Sequence, residues 1–158
     1  PQINNAILSI ATVCQSYDIP VILSGSSNLT DGNYNILYNL SGSNTATAIP
    51  AVLSVTSGVG NFSILRTIAP NAGLTTIIIK NITNSDTGCT NIANISASFS
   101  TNPLPDTSNM IVTISDICQG QFANVAISGL GTLTTININF SLSGVGSLPT
   151  AAKRLIFN

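Results

Sequence analysis

The sequence predicts an all-β chain made of tandem β-sandwich repeats of about 104 residues each. Three observations predict it. First, the chain repeats itself. Displaced by 104 residues, Pro1 meets Pro105, Asn5 meets Asn109, Ile10 meets Ile114 and Cys14-Gln15 meets Cys118-Gln119. Val21, Ser24 and Gly25 meet Val125, Ser128 and Gly129, and Leu29-Thr30 meets Leu133-Thr134. After a two-residue deletion, Asn35-Ile36 meets Asn137-Ile138, and Leu40-Ser41-Gly42 meets Leu142-Ser143-Gly144. A period of this length exceeds a solenoid repeat and suits a whole sandwich domain. Second, strand signals recur at the short, even spacing of a sandwich or barrel. Third, Ile, Val and Thr abound while Glu is absent, which favours strands over helices. Residues 1–104 therefore read as one complete repeat, and residues 105–158 as the first half of a second, incomplete one.

The elements follow in order. Residues 6–12 (AILSIAT) are expected as the first strand and 19–25 (IPVILSG) as the second. Pro20 sits near the start of the second, where a missing N–H is tolerated. Residues 26–33 turn the chain at Asp31-Gly32. Residues 34–41 alternate cleanly, with Tyr34, Ile36, Tyr38 and Leu40 on one face. After a turn at 42–44, strands are expected over 50–57 and 61–68, parted by a turn at 58–60. A loop at 69–73 precedes 74–82, the most apolar strand, whose consecutive Ile77, Ile78 and Ile79 predict a central position. A polar turn at 84–88 leads to the last strand, 90–98. Residues 101–108 (TNPLPDTS) are the joint between repeats; Pro103 and Pro105 favour an extended, semi-rigid connector. The second repeat has strands expected over 110–115, 124–129, 135–143 and 153–157. Four strands leave Val125, Ile127, Ile136, Ile138, Phe140 and Leu142 facing water, unless missing strands of the same chain or a neighbouring chain cover them.

Composition narrows the function. The chain is 44% hydrophobic but only 6% charged, so it is neither disordered nor ordinary in surface chemistry. Its net charge of −1 with no basic patch argues against nucleic acid. No apolar run is long enough to span a membrane as a helix. His, Glu and Trp are absent, which removes the commonest general bases, and no catalytic motif is present. The five aspartates, Asp18, Asp31, Asp86, Asp106 and Asp116, do not repeat between units. Asp31 and Asp86 read as turn formers; a calcium site at either would rest on one carboxylate per loop. No metal or cofactor is implied. Six Asn-x-Ser/Thr sequons occur, at Asn28, Asn39, Asn61, Asn81, Asn94 and Asn139, but with nineteen asparagines in the chain roughly four or five arise by composition alone. Among aromatics that could stack a sugar, Tyr34, Tyr38 and Phe140 lie on inward phases, leaving Tyr17.

Three cysteines stand at 14, 89 and 118, without a C-x-x-C or a histidine for metal. The repeat suggests a Cys14–Cys89 disulfide within the complete unit, with Cys118 left unpaired by truncation. Such a bridge implies an oxidising, extracytoplasmic compartment. Buried reduced cysteines are the alternative. An up-and-down strand count also puts positions 14 and 89 at opposite ends of the sandwich, beyond the reach of about 7 Å between Cα atoms.

The Ile-x-x-x-Cys-Gln opening (Ile10–Gln15, again at Ile114–Gln119), Ser24-Gly25 and the closing NITNSDTGCT of residues 81–90 resemble the Ig-like repeats of giant gliding-motility adhesins of Bacteroidetes. The resemblance implies tandem Ig-like (Greek-key type) sandwiches, each Cys-bridged, exported by the type IX secretion system. It implies an extracellular, cell-surface filament with no catalysis. Its partners would be neighbouring repeats, surface polysaccharide or other filament subunits. Competing expectations are a pilus-type subunit completed by donor-strand exchange, a carbohydrate-binding Ig-like module, and an accessory domain of an enzyme.

Overall fold

A computed structural model of the protein describes residues 1–25, 28–118, 120–131, 135–140 and 151–156. Every regular element among the described residues is a strand. The chain divides into two compact units, Pro1–Leu104 and Pro105–Asn158.

The first unit carries β1 (Ala6–Ile10), β2 (Val13–Cys14), β3 (Ile19–Gly25), β4 (Gly32–Gly42), β5 (Ala46–Thr56), β6 (Val59–Ile64), β7 (Gly73–Asn84) and β8 (Thr90–Asn102). They form one eight-stranded sheet in the order β1-β3-β6-β5-β4-β7-β8-β2. β1 and β2 end that order at opposite edges, yet only Ala11 and Thr12 separate them in the chain. The sheet therefore curls until its two edges are neighbours. The single strand expected over 6–12 is thus corrected to two. β1 lies antiparallel to β3, and β2 lies parallel to the end of β8, with Val13 opposite Thr101 and Cys14 opposite Asn102. That pairing draws Thr101 and Asn102 into β8, so the connector begins at Pro103 rather than at 101.

β5 turns the sheet's corner. It pairs with β4 along most of its length and with β6 only at Ser54–Thr56. Pro50 sits opposite Leu37 of β4 where the other flank of β5 is unpaired, so its missing N–H breaks no ladder.

The curl encloses the core. Tyr34, Ile36, Tyr38 and Leu40 of β4 are buried, as their alternation predicts. They meet Ile19, Val21 and Leu23 of β3, Leu53 of β5, Phe62 and Ile64 of β6, and Ile77 and Ile79 of β7. Burial of each such side chain contributes about 1.5–3 kcal/mol. Tyr38 and Phe62 meet with ring centroids 6.0 Å apart. β7 lies between β4 and β8, the central place its isoleucines predict. Ile78, between the buried Ile77 and Ile79, is only half-buried. Among the described residues the buried polar ones are Asn44, Thr75 and Thr101. Asn44, 2% exposed in the β4–β5 turn, donates to the Asn71 carbonyl and to Thr75 Oγ1, both at 2.9 Å, and accepts from the Asn71 N–H.

In the second unit β9 (Ile111–Ile114) pairs with β10 (Val125–Ser128), and β11 (Thr135–Phe140) pairs with β12 (Ala151–Ile156), all antiparallel. The registers duplicate those of the first unit. Ile10 faces Val21 and Ile7 faces Ser24; residue for residue, Ile114 faces Val125 and Ile111 faces Ser128. Asn35 faces Val52 and Leu37 faces Pro50; correspondingly Asn137 faces Arg154 and Asn139 faces Ala152. The shared Ser-Gly has a local cause. Gly25 and Gly129 both adopt positive φ, and both approach the carbonyl of the repeated asparagine, Asn5 or Asn109. Val125 and Phe140 are exposed, and Ile127, Ile136 and Ile138 are half-buried. Gln119, Leu142, Phe157 and the expected strand end at 141–143 lie outside the described residues.

Candidate functional site

Two places in the first unit gather polar side chains: in one they tie the chain to itself, in the other they are left over. One is the pole where β8 ends. The other is the outer face of the sheet around β4.

At the pole, Gln15 follows the β2–β8 pairing. Its backbone N–H donates to the Asn102 carbonyl at 2.8 Å. Its side-chain Nε2 donates to the Pro70 carbonyl at 2.8 Å, and its Oε1 accepts from the Leu104 N–H at 3.5 Å. The repeated Cys-Gln thus has a structural use: it ties the start of the connector to the β6–β7 loop. Asp18 accepts from the Arg66 N–H of that loop at 2.8 Å. Pro103 and Pro105 are exposed and lie outside any strand. Beyond them Asp106 accepts from the Ser108 N–H at 2.9 Å. Hydrogen bonds from the Ser108 side chain and then its backbone hold the Asp106 carboxyl below the usual carboxylate range.

The cysteines are not brought together. Cys14, Cys89 and Cys118 are all unpaired and exposed. The expected Cys14–Cys89 bridge is corrected by the topology. Cys14 faces Asn102 at one end of β8, and Cys89 immediately precedes Thr90 at the other. A strand of 13 residues spans about 40 Å, far beyond the roughly 7 Å that a disulfide allows. The alternative of buried thiols fails too, since all three are exposed.

Asp31 and Asp106 brace turns, whereas at 84–88 it is Asn84 Oδ1 that accepts from the Asp86 and Thr87 N–H groups, each at 2.9 Å. Asp31 accepts from the Ser57 N–H at 2.7 Å, bracing the β5–β6 turn from the start of β4. No group of three His, Cys, Asp or Glu side chains that could hold a metal occurs among the described residues. Among the described residues no helix is long and apolar enough to cross a membrane. Tyr17 is exposed at the pole, and Phe122 is the more exposed of the second unit's two described aromatics. Of the sequon asparagines, Asn39 spends its Oδ1 on the Ala48 N–H and Asn94 its Oδ1 on Lys80 Nζ.

The outer face was not foreseen. Register aligns two cross-strand rows over β5, β4, β7 and β8. One row runs Val52, Asn35, Thr83, Thr90; the next runs Pro50, Leu37, Asn81, Ile92. Register shifts between Leu37 and Tyr38 and between Ile79 and Asn81 interrupt the ladders beside these rows. Such bulges bend strands, and the face carries an open hollow of about 520 Å³ here, lined by every member of the two rows except Ile92. Thr83 and Thr90 hydroxyls bond each other at 2.8 Å. The side-chain amides of Asn35 and Asn81 have no hydrogen-bond partner among the described residues. A cross-strand row is visible only once four strands are in register, so no single stretch of sequence carries the signal.

No protein-family model, no curated protein and no solved structure matches the chain.

Proposed function

We propose that the chain is a structural, adhesive repeat segment of a large secreted bacterial surface filament, built of Ig-like sandwiches and similar to the repeats of gliding-motility adhesins. The observation that carries this reading is the duplicated register. The chain makes the same β1–β3 and β4–β5 pairings twice, about 104 residues apart. A unit repeated with its pairings intact is what a modular array requires. The strand order supports an Ig-like unit: in the single curled sheet β1-β3-β6 and β4-β7-β8 run in the order expected of that fold's two sheets, β5 bridges them, and β2 lies beside β8. The short connector with Pro103 and Pro105 suits units held apart in sequence. An extracellular location now rests on the resemblance alone, because the disulfide that would argue for it is not formed.

The test is the mass of the native polypeptide on a reducing, denaturing gel, detected with an antibody to residues 1–104. A mass many times 16.2 kDa supports the repeat-filament reading. A band near 16 kDa overturns it. That outcome would favour the second reading, a subunit completed by strands from a partner chain, for which the exposed Ile111, Val112, Ile114 and Val125 of β9 and β10 speak.

A further inference from the structure

We propose that the concave outer face of β5, β4, β7 and β8 is a binding site for an uncharged polysaccharide chain. The proposal names the ligand class behind the adhesive reading above, and rests on that reading only for its biological sense.

The face selects its occupant by exclusion and by fit. No charged side chain stands in either row. The two cations of the first unit are spent elsewhere: Lys80 on Asn94, and Arg66 on the Ser16 carbonyl. A sulfated or uronic polymer, a phosphate or a nucleic acid would find no counter-charge. A peptide strand would add along an open backbone edge, such as the free flank of β5 beside Pro50, and not lie across β4 and β7, which are paired on both sides. An apolar protein surface would need continuous apolar area. Here the apolar Pro50, Leu37 and Val52 adjoin Asn35, Asn81 and Thr83, whose polar groups such a partner would bury without matching.

A neutral sugar chain matches what remains. Each free amide offers donors and an acceptor on one rigid group, the combination that adjacent hydroxyls of a sugar ring require. Asn35 and Asn81 lie on adjacent strands in neighbouring rows, and both amides are unspent. The aliphatic Leu37, Pro50 and Val52 give the C–H faces of the rings apolar contact. The platform is four strands long, about 14 Å at the usual strand spacing, and about 7 Å across its two rows. That outline suits a short run of rings lying across the strands. Hydrogen bonds to solvent-exposed amides give little net affinity singly. Repeated along an array, such weak sites gain avidity without new contacts.

The experiment is an NMR titration of the 15N-labelled chain 1–158 with four neutral oligosaccharide series: cello-, laminari-, manno- and xylo-oligosaccharides. Oligogalacturonate is the anionic control. At least one neutral series is expected to shift the side-chain NH2 signals of Asn35 and Asn81 and the backbone amides of their rows, with no effect from the control. The double variant Asn35→Ala/Asn81→Ala, checked for an unchanged fold by its remaining spectrum, is expected to weaken that affinity at least tenfold. The proposal is overturned if no neutral series shifts these signals, or if the double variant binds as tightly as the parent. It is also overturned if the shifts map to Tyr17 or Phe122, or appear on concentrating the protein without sugar, which would make the face a contact between copies. The gel of native mass is independent of all these outcomes, so failure here and failure of the filament reading are distinguishable.

Discussion

The side-chain amide of Gln15 donates to the carbonyl of Pro70, 2.8 Å away and 55 residues along the chain. The same amide reaches the Leu104 N–H through its oxygen. Gln15→Ala removes both contacts and leaves the Pro70 and Leu104 groups to water. The expected loss is about 1 kcal/mol, or roughly 4 °C in Tm for a unit of this size. Hydrogen exchange at Leu104 should accelerate by more than the global change in stability accounts for. Equal acceleration across the whole unit would mean that Gln15 does not hold the connector.

Asn44 makes the larger polar contribution. It is buried, and its removal strands the Thr75 hydroxyl together with the N–H and carbonyl of Asn71. Asn44→Ala should therefore cost about 3 kcal/mol, read from chemical denaturation. Asn44→Asp keeps the acceptor for the Asn71 N–H and loses both donated bonds, so it should be no better.

Thr101 offers a gain. Its hydroxyl is buried with no hydrogen-bond partner among the described residues. Valine has nearly the same shape without the polar atom. Thr101→Val should raise stability by about 1 kcal/mol, measured as a higher denaturant midpoint at unchanged slope. An unchanged or lower midpoint would show that the hydroxyl is satisfied in solution.

Three exposed thiols should react with a thiol reagent in the native, unreduced chain. The expected stoichiometry is three per chain before and after denaturation. A count of one would restore the Cys14–Cys89 bridge and contradict the strand order, since β8 separates the two positions.

The connector should respond to acid. The Asp106 carboxyl is held below its ordinary range by Ser108. Its contribution to the turn is therefore complete above that ordinary range and is lost as pH falls through the depressed value of the folded state. Exchange at the Ser108 amide, corrected for intrinsic rates, should lose protection only in that acidic window. Asp106→Ala should remove the pH dependence; a variant that kept it would assign the effect elsewhere.

The all-β class and the inward phases were legible because they are local. Tyr34 to Leu40 alternate within one strand, and burial follows that alternation. The paired registers were legible through the repeat, which aligns Ile10 with Ile114 and Val21 with Val125. What was hidden depends on partners far along the chain. Ala11 and Thr12 are ordinary strand residues, and nothing in them announces a change of edge. The cysteine spacing says how far apart the residues are in sequence but not at which end of β8 each stands. The platform of Asn35 and Asn81 exists only across strands.

Pro1 is bonded by Asn91 near the start of β8, and Leu104 lies just beyond its end. Tension applied between these two points would pull β2 toward one pole and β8 toward the other. The two strands run parallel, so their hydrogen bonds and the Gln15 contacts would be strained together in shear rather than opened one by one. The few residues that close the curled sheet are thus placed where a unit pulled by its two ends carries its load. In single-molecule extension a Gln15→Ala unit should yield at lower force than its parent, and equal forces would place the resisting contact elsewhere in the unit.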